Sequence, residues 1–375
     1  MPKPPLLLHV FSTFGTGGPQ LRTTQIINYL GAAFRHAIVA MDGEYGARYG
    51  IRSAVECQLI PPPPGAGSII QPLRMSALIN RIRPDLVLTY NWGAMDGVVG
   101  ALLARKCPAV HLEDGFGPDE ARCLKTRRVL ARRLLLRRVH KTIVPSRVLL
   151  EIARKQYRLP EEKLEYIANG IDLERFCPSP DRGRRAELCG AAGSEDTVLF
   201  GSVGQLRPEK NLSLMLRAFA SAGLPNAKLV LVGDGACRGE LEGLAASLGL
   251  GERIVFAGAA QDPVPFYRAF DVFLMSSSTE QMPISLLEAM GCGLPAICTD
   301  VGDSASMLGA AAPPEIVPAG DLHAYASALG ELAAGPALRV SIGRKNRRRC
   351  AENHDAESMV QRYSVLYRSA IGNSE

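Results

Sequence analysis

The chain has 375 residues, of which 47% are hydrophobic and 21% are charged. This balance is typical of a globular protein with two or three domains, and it excludes a chain that is wholly disordered, collagen-like or coiled-coil. The net charge of +6 is unevenly distributed, because residues 1–170 carry 24 basic and 13 acidic residues whereas the remainder carries 19 and 24. A basic half joined to an acidic half indicates two units with different partners.

The chain lacks the apolar run of about 20 residues that a membrane-spanning helix needs. Its first eleven residues show neither the long apolar stretch nor the small-residue cleavage site of a signal peptide. The nine cysteines are widely spread and form no CxxC pair, which argues against a zinc site or a disulfide framework. We therefore expect a cytoplasmic protein, with a position at the inner face of the cell membrane as one interpretation.

Short apolar runs alternate with longer helical patterns along both halves of the chain. Such runs, when helices separate them, are typical of βαβ units and parallel sheets. The strands predicted in the first half are 6–10, 37–41, 86–89, 109–112, 143–144 and 164–167. Those predicted in the second half are 198–203, 229–232, 254–257, 272–275, 296–298 and 316–317. Two sets of six predict an α/β protein with two doubly wound parallel-sheet domains.

The weakest stretch between the two sets runs from 176 to 195 and is rich in proline, glycine and charged residues. We therefore predict an N-terminal domain over residues 1–175 and a C-terminal domain over residues 176–354. The last helix, about 355–375, is predicted to pack back on the first domain.

A glycine-rich segment, FGTGGPQ at 14–20, follows the first predicted strand. Glycines permit close backbone approach, and the free N–H groups of a following helix can bind an anion. This makes Gly15, Gly17 and Gly18 candidate ligand-binding residues, with a simple strand-to-helix turn as the alternative. The dinucleotide fingerprint needs a glycine where this chain has Gln20, so a nicotinamide-dependent oxidoreductase is not indicated.

A basic segment at 122–141 contains nine Lys or Arg residues interleaved with leucine and valine, and 121–150 holds no acidic residue. One interpretation is a helix that contacts an anionic membrane. The cations spread around the whole helical wheel, however, so a solvated helix with extended arginine stems is the alternative. Nucleic-acid binding is not indicated, because no aromatic residues are interleaved for base stacking.

The segment STEQMPISLLEAMGCGLPAICTDVG at 278–302 contains a third candidate site. Pro283 suits the first position of a helix, whose first backbone N–H groups lack intrahelical partners and can hold a diphosphate. The carboxylates of Glu280 and Glu288 lie at different depths of this helix, which suits contacts with two hydroxyl clusters of one extended ligand. The alternative is an N-terminal charge and a solvated helix residue.

This segment resembles the E-x7-E region of the retaining glycosyltransferases of family 4. Five further segments resemble the family's motifs in the family's order: NGIDLERF at 169–176, VGQLRPEKN at 203–211, LVGDG at 231–235, VFAG at 255–258 and DVFLMSS at 271–277. The resemblance implies the GT-B fold, in which two Rossmann-like domains face each other across a cleft. It also implies that the C-terminal domain binds a nucleotide-sugar, most often a UDP- or GDP-sugar, and that the N-terminal domain binds the acceptor.

The resemblance assigns roles to individual residues. Glu288 would bind the ribose, Glu280 would lie beside the donor sugar, and Lys210 would stabilise the diphosphate as charge develops on it. Gly15, Gly17 and Gly18 would approach the diphosphate from the other domain. The further donor-binding residues implied are Gln205, Arg207, Gly233, Gln281, Met282, Pro283, Ile284, Ser285 and Leu286. The family needs no metal ion or other cofactor.

Three donor-side positions depart from the family pattern. Gln205 replaces the arginine of the VGRL motif, and Arg207, two residues later, is a candidate substitute. Gln281 replaces the glycine of EGFP, which alters the loop facing the sugar. Asp303 replaces the second glycine of TDVGG.

The acceptor-side loop departs as well. The family often has a TEHG-like string after the fourth strand, whereas this chain has HLEDGFG at 111–117. Aligning the two on Glu-x-Gly places Asp114 at the histidine position, beside the sugar as a hydrogen-bonding group or a base for the acceptor. His111, which could equally be a core histidine, and Glu113 are the other acceptor-side candidates, and Asp114 could be a turn or cap residue.

We therefore interpret the chain as a metal-independent retaining glycosyltransferase. It would move a sugar from a nucleotide-sugar to a saccharide or lipid-linked acceptor in bacterial surface polysaccharide or glycolipid synthesis. The alternatives are a GT-B nucleotide-sugar epimerase and a GT-B binding or scaffold protein without turnover.

Overall fold

The computed structural model describes residues 3–15, 17–65, 69–104, 107–116, 120, 123–189, 197–309 and 312–372. Gly117 of the acceptor-side loop and Arg122 of the basic segment lie outside the described residues. The chain divides into two compact units, Met1–Asn169 with Glu357–Glu375, and Gly170–Ala356. The division after Asn169 falls six residues before the predicted boundary, because Ile171 pairs with Asp355 and Phe176 packs against the Tyr267 ring within the second unit.

The first unit contains a seven-stranded parallel sheet. Its strands are β1 (Leu6–Phe11), β2 (Arg35–Ala40), β3 (Cys57–Ile60), β4 (Leu86–Tyr90), β5 (Ala109–Leu112), β6 (Lys141–Val144) and β7 (Leu164–Tyr166). They lie in the order β3-β2-β1-β4-β5-β6-β7. The intervening helices are α1 (Gly18–Leu30), α2 (Gln71–Ile82), α3 (Met95–Ala104), α4 (Thr126–Leu135) and α5 (Arg147–Lys155).

The second unit contains a six-stranded parallel sheet in the order β10-β9-β8-β11-β12-β13. Its strands are β8 (Val198–Val203), β9 (Ala227–Val232), β10 (Ile254–Gly258), β11 (Val272–Met275), β12 (Ala296–Thr299) and β13 (Ile316–Val317). Its helices are α6 (Arg185–Cys189), α7 (Leu212–Ser221), α8 (Arg238–Ser247), α9 (Val264–Ala269), α10 (Ile284–Gly291), α11 (Ser304–Leu308), α12 (Leu322–Ala334) and α13 (Pro336–Asn353).

Two doubly wound parallel sheets confirm the predicted α/β class. The first sheet has one more strand than predicted, because β3 was missed. Only Ile60 of its four residues is buried, so this edge strand lacks the continuous apolar run that identifies the central strands. The last helix, α14 (Ala356–Gly372), places Met359, Tyr363 and Tyr367 in the core of the first unit, on the side lined by Leu7 of β1.

The strand order locates one switch point in each sheet. In the first unit the strands β2 and β3 extend the sheet on one side of β1, whereas β4 to β7 extend it on the other, so the switch point lies between β1 and β4. In the second unit it lies between β8 and β11 for the same reason. In doubly wound sheets, ligands bind outside the carboxyl ends of the strands at such points. The loops after these four strands are therefore where a functional site is expected.

A buried pair of histidines crosses the first sheet. His9 Nε2 lies 3.0 Å from His36 Nδ1, and His9 Nδ1 lies 2.8 Å from the hydroxyl of Tyr90. Burial lowers the pKa of His36 to about 4 and, with the neighbouring His36, lowers the pKa of His9 well below its usual value of 6.5. Both rings are therefore neutral in the folded protein at pH 7.

We expect this pair to make the fold sensitive to acid. As the pH falls below 6.5, these two histidines bind protons in the unfolded chain but stay neutral in the folded chain. The free energy of unfolding therefore decreases from about pH 6.5 down to about pH 4. His36 alone would account for roughly 3 kcal/mol of that loss. Urea unfolding at pH 7 and pH 4 measures this loss of stability in the wild type and in His36→Gln. His323→Gln is the control, because His323 is exposed. Equal losses in the wild type and His36→Gln would contradict the assignment.

Candidate active site

Two loops meet at the switch point of the second unit. The loop after β8 contains a short 3-10 turn, Pro208–Lys210, and the loop after β11 leads towards Glu280. The backbone N–H of Ser278 donates to the Glu209 carbonyl at 2.8 Å, and the Ser276 hydroxyl donates to the Lys210 carbonyl at 2.9 Å. These bonds hold the two loops side by side.

Lys210 and Glu280 form an ion pair between these loops. Lys210 Nζ lies 2.5 Å from Glu280 Oε1, which also accepts from the Ser277 hydroxyl at 2.9 Å. Both side chains are only partly buried, at 27% and 15% exposed. An ammonium group has three donors, so Lys210 can hold Glu280 and still donate to an anionic ligand.

A pocket opens beside this ion pair. Its lining includes Gln205, Lys210, Ser276, Ser277 and Ser285. Three of the predicted donor-binding residues, Gln205, Lys210 and Ser285, thus line one pocket although they are up to 80 positions apart in the sequence. Arg207, the candidate substitute for the missing arginine, is 54% exposed, with its guanidinium 3.8 Å from Glu209; its contact with a phosphate stays a prediction.

Gly233 lets the turn after β9 pack against the turn after β8. Its φ is +142°, and a Cβ atom there would lie 1.8 Å from the carbonyl oxygen of Gly204. The N–H of Leu206 then donates to the Asp234 carbonyl at 3.0 Å. The structure thus gives Gly233 a role in shaping the pocket wall; a direct contact with the donor stays a prediction.

Gly302 supports the loop that carries Glu280. Its φ is +56°, and a Cβ atom there would lie 2.5 Å from the Glu280 carbonyl oxygen and 2.6 Å from that of Gln281. The next residue, Asp303, is buried and its N–H donates to the Gln281 carbonyl at 2.9 Å. Asp303 and Gln281, which both replace glycines of the family's motifs, are therefore hydrogen-bonded to each other through their backbones.

Glu288 lies on α10, one turn beyond Ser285. The helix begins at Ile284, one residue later than predicted, with Pro283 as its N-cap. Tyr267 donates its hydroxyl to Glu288 Oε2 at 2.6 Å. Burial raises the pKa of Glu288 to about 7, although the Tyr267 hydrogen bond and the charge of Arg175 oppose the rise. The sequence did not single out Tyr267, because it lies on a different helix, 21 residues before Glu288.

In the first unit, the predicted glycine-rich loop leads from β1 into α1. The helix begins at Gly18, with Gly17 as its N-cap and Pro19 in its first turn. The side-chain amide of Gln20 donates to the Thr13 carbonyl at 2.9 Å and closes the loop. The loop's position at the switch point of the first sheet fits an anion-binding role, which stays a prediction for Gly15, Gly17 and Gly18.

Asp114, which follows β5, is paired with an arginine that the sequence analysis did not identify. Arg22 of α1 places Nη1 2.5 Å from Asp114 Oδ1, and the two side chains are 2% and 5% exposed. The backbone N–H of Asp114 donates to Asn91 Oδ1 at 2.6 Å. Asn91, which follows β4, has a φ of +57°, a conformation that residues other than glycine rarely adopt.

The other two acceptor-side candidates are engaged in the core. Arg132 of α4 binds both carboxylate oxygens of Glu113, through Nε at 2.7 Å and Nη2 at 3.2 Å. His111 is fully buried, with Nδ1 2.8 Å from the Thr89 hydroxyl and Nε2 3.6 Å from Glu113. Asp114 is buried and ion-paired as well, but neither of its carboxylate oxygens has a hydrogen-bond partner among the described residues, and its acceptor-side role stays a prediction.

The basic segment is only partly a surface feature, which corrects the interpretation of all its cations as solvent-facing or membrane-facing. Arg132 is fully buried and also lies 3.4 Å from Glu120, while the rings of Trp92 and Tyr157 lie 5.1 and 5.3 Å from its guanidinium carbon. Arg128 pairs with the same Glu120 at 2.9 Å. The helix itself ends at Leu135, and Lys141 already belongs to β6.

Two leucines of α4 nevertheless lie on the surface. Leu130 is 47% and Leu134 is 65% exposed, and Arg127 beside them is exposed too.

Among the described residues, no helix is both long and apolar enough to cross a membrane. Nor do the residues that the structure describes include a group of three or more His, Cys, Asp or Glu side chains placed to hold a metal ion.

Comparison with known proteins adds two family models and several relatives. Residues 16–175 match the model described as Glycosyltransferase Family 4, and residues 190–349 match Glycosyl transferases group 1. A GDP-mannose-dependent alpha-(1-6)-phosphatidylinositol monomannoside mannosyltransferase of Mycolicibacterium smegmatis is 29% identical over 52% of this chain and 53% of its own length. A UDP-Gal:alpha-D-GlcNAc-diphosphoundecaprenol alpha-1,3-galactosyltransferase of Escherichia coli is 25% identical over 60% and 58%. The matches thus span little more than half of these relatives.

Solved structures match over nearly the whole chain. Anabaena HepE in complex with UDP and glucose gives a TM-score of 0.84 at 18% identity, covering 97% of this chain and all of the other. Sucrose-phosphate synthase from Thermosynechococcus elongatus gives 0.80 at 23% identity, covering 98% and 100%. At these identities the likeness concerns the fold.

Proposed function

The chain belongs to the glycosyltransferases of family 4 and group 1, with the GT-B type of fold, and we propose that it transfers a sugar from a nucleotide-sugar to an acceptor with retention of configuration. The observation that carries this proposal is the Lys210–Glu280 ion pair beside a pocket at the switch point of the second sheet. A diphosphate needs positive charge, and a sugar needs a carboxylate that accepts from its hydroxyls. The pair offers both within 2.5 Å.

In the proposed reaction, the bond between the anomeric carbon and the phosphate oxygen breaks, and its electron pair leaves with the nucleoside diphosphate. The acceptor oxygen bonds the anomeric carbon on the same face, and its proton passes to the Asp114 carboxylate. Lys210 and the first N–H groups of α10, from Ile284 to Leu286, stabilise the charge that develops on that phosphate. Because these groups supply the positive charge, we include independence from metal ions in the proposal.

Three carboxylates take the remaining roles. Glu280 accepts hydrogen bonds from the donor sugar, and Glu288, held by Tyr267, accepts from the ribose hydroxyls. Asp114 accepts a hydrogen bond from the acceptor hydroxyl that attacks the anomeric carbon. The residues of the first glycine-rich loop, Gly15 to Gly18, contribute to diphosphate binding.

The relatives guide the proposed substrates. Two of them are named for GDP-mannose and UDP-galactose, and for acceptors carried on phosphatidylinositol and diphosphoundecaprenol. We therefore propose a UDP- or GDP-sugar as donor and a lipid-linked saccharide as acceptor, in bacterial glycolipid or surface polysaccharide synthesis. A lipid-linked acceptor and a nucleotide-sugar meet at the cytoplasmic face of the membrane, which is where we propose that the enzyme works.

A thermal-shift panel of UDP-, GDP- and ADP-sugars tests the donor site. A ligand that binds the folded chain raises its melting temperature, and we expect one nucleotide class to do so. Glu288→Ala should abolish that rise, because it removes the carboxylate assigned to the ribose. Glu331→Ala, which removes an exposed helical carboxylate of the same unit, is the matched control. An undiminished rise in Glu288→Ala would contradict the ribose assignment, and no rise with any nucleotide would contradict the donor site.

Product analysis separates the alternatives. An epimerase would change the free donor sugar without an acceptor, whereas a transferase needs one. A scaffold protein would bind nucleotide without releasing it from the donor. The replacement of the motif arginine by Gln205 is the feature that most favours the scaffold alternative.

We also propose that the surface of α4 formed by Arg127, Leu130 and Leu134 contacts anionic lipid. Exposed leucines beside cations are typical of peripheral membrane contact. We expect the double variant Leu130→Gln and Leu134→Gln to sediment less with vesicles that contain phosphatidylglycerol. Leu103→Gln is the control, because Leu103 of α3 is as exposed as Leu130. Unchanged sedimentation of the double variant would favour the solvated-helix interpretation.

A further inference from the structure

Arg22 is a charged residue buried in the first unit. Its guanidinium is linked to three separate parts of the chain: Nη1 lies 2.5 Å from Asp114 Oδ1 and 3.1 Å from Asn169 Oδ1, and the guanidinium carbon lies 6.0 Å from the centre of the Tyr363 ring. Burial by itself lowers the pKa of Arg22, but Asp114 and Tyr363 outweigh it and the pKa is raised. The residue is therefore a fixed cation.

The hydrogen bonding of this ion pair is incomplete. Within the described residues, Arg22 Nε and Nη2 and both carboxylate oxygens of Asp114 are buried and have no hydrogen-bond partner, so the contact between Nη1 and Oδ1 is an ion pair only. A buried polar atom without a partner is costly. One hydroxyl group, which both donates and accepts, satisfies an arginine N–H and a carboxylate oxygen together. The pair is thus complementary to a hydroxyl.

The pair also lies at the functional edge of the first sheet. Arg22 is in the second turn of the helix that follows β1, and Asp114 follows β5. Asn91, which follows β4, fixes the backbone of Asp114 and adopts a φ of +57°. Backbone strain of this kind concentrates at functional sites. Residues that follow the carboxyl ends of three neighbouring strands, β1, β4 and β5, therefore meet at one carboxylate.

We propose that Arg22 is a positioning residue, which holds Asp114 through Oδ1 so that Oδ2 accepts a hydrogen bond from the attacking hydroxyl of the acceptor sugar. This inference rests on the proposed function, because it supplies the role of Asp114. Arg22 acts through Asp114 and not on the donor. Its loss should therefore affect turnover without affecting nucleotide binding.

Variants of the pair distinguish positioning from folding. Arg22→Met leaves a buried carboxylate without its cation, so the melting temperature should fall by several degrees. Adding Asp114→Asn removes that charge, so the double variant should regain most of the lost stability. Turnover should not recover, because the oriented carboxylate is still missing. A purely structural role would make stability and turnover recover together.

The assay follows nucleotide released from the nucleotide-sugar that gives the largest thermal shift, with octyl glycosides of common hexoses as acceptors. We expect Arg22→Met, Asp114→Asn and the double variant each to reduce release at least tenfold, with the Kd for the nucleoside diphosphate within twofold of wild type. Arg35→Met is the control, since Arg35 is a half-buried arginine of the same unit whose Nε donates to the Pro4 carbonyl.

Two outcomes would overturn the inference while leaving the proposed function standing: full turnover in Arg22→Met, or turnover that recovers with the melting temperature in the double variant. A wild-type chain that binds nucleotide but releases none with any acceptor would instead contradict the proposed function, and the role of Asp114 with it.

Discussion

Replacing Lys210 with alanine is expected to reduce turnover by about 10²–10³-fold, the range seen when one group that stabilises a developing negative charge is removed. Lys210 is positioned for this role by the Glu280 carboxylate at 2.5 Å and by the bonds that join its loop to the loop after β11. The negative charge on the phosphate is greatest as the nucleotide departs. The loss should therefore fall mainly on turnover and less on the binding of the intact donor.

Nucleotide release under saturating donor measures the effect, with donor affinity measured separately. Lys228→Ala is the matched control, because Lys228 is a lysine of the same unit whose Nζ donates to the Cys189 carbonyl. Arg207→Ala provides a second comparison and reports whether the exposed Arg207 shares the phosphate. Normal turnover in Lys210→Ala would show that a residue other than Lys210 stabilises the phosphate.

Replacing Arg132 with methionine is expected to lower the free energy of unfolding by about 3–5 kcal/mol. The arginine is fully buried, and its removal leaves the Glu113 carboxylate without its cation, while Glu120 keeps only its ion pair with Arg128. Burial raises the pKa of Glu113, but His111 and Arg132 outweigh this and hold the pKa below its usual range. The variant would therefore contain a buried negative charge.

Urea unfolding at pH 7 measures this loss. Arg133→Met is the control, since the neighbouring Arg133 donates to the Gln156 carbonyl from a more exposed position, and we expect a change below about 1 kcal/mol there. Adding Glu113→Gln to Arg132→Met should recover part of the stability, because it removes one unpaired charge. Equal effects of Arg132→Met and Arg133→Met would show that Arg132 is not the buried anchor of α4.

Much of the fold could be predicted because the central strands are buried on both faces. Strand β11 is a continuous apolar run and β8 begins with one, and the predicted bounds of both agree with the structure. The edge strand β3 could not be predicted in this way, since its exposed positions interrupt the apolar pattern. The stretch at 176–195, which contains no predicted strand or helix, includes α6 at Arg185–Cys189, because its proline and charged residues do not prevent a short helix there.

The residues that line the pocket could be predicted to lie together because each belongs to a motif that follows a predicted strand. Parallel strands deliver their carboxyl ends to one edge of the sheet, so Gln205, Lys210 and Ser285 share a pocket. The partners of these residues carry no such signal. Tyr267 and Arg22 lie on helices, where a polar group facing a distant carboxylate looks like any other helical residue.

The sequence by itself determined the class of the protein: two parallel-sheet units, a family resemblance, and the segments that carry the candidate site. These follow from local apolar periodicity and from short contiguous motifs. Only the tertiary structure decided which charges are paired. Arg127 and Arg132 are equivalent cations in the sequence, yet one is exposed and the other is buried between Glu113 and Glu120. Pairing depends on which helix face meets which strand end, and that is settled by packing between residues far apart in the chain.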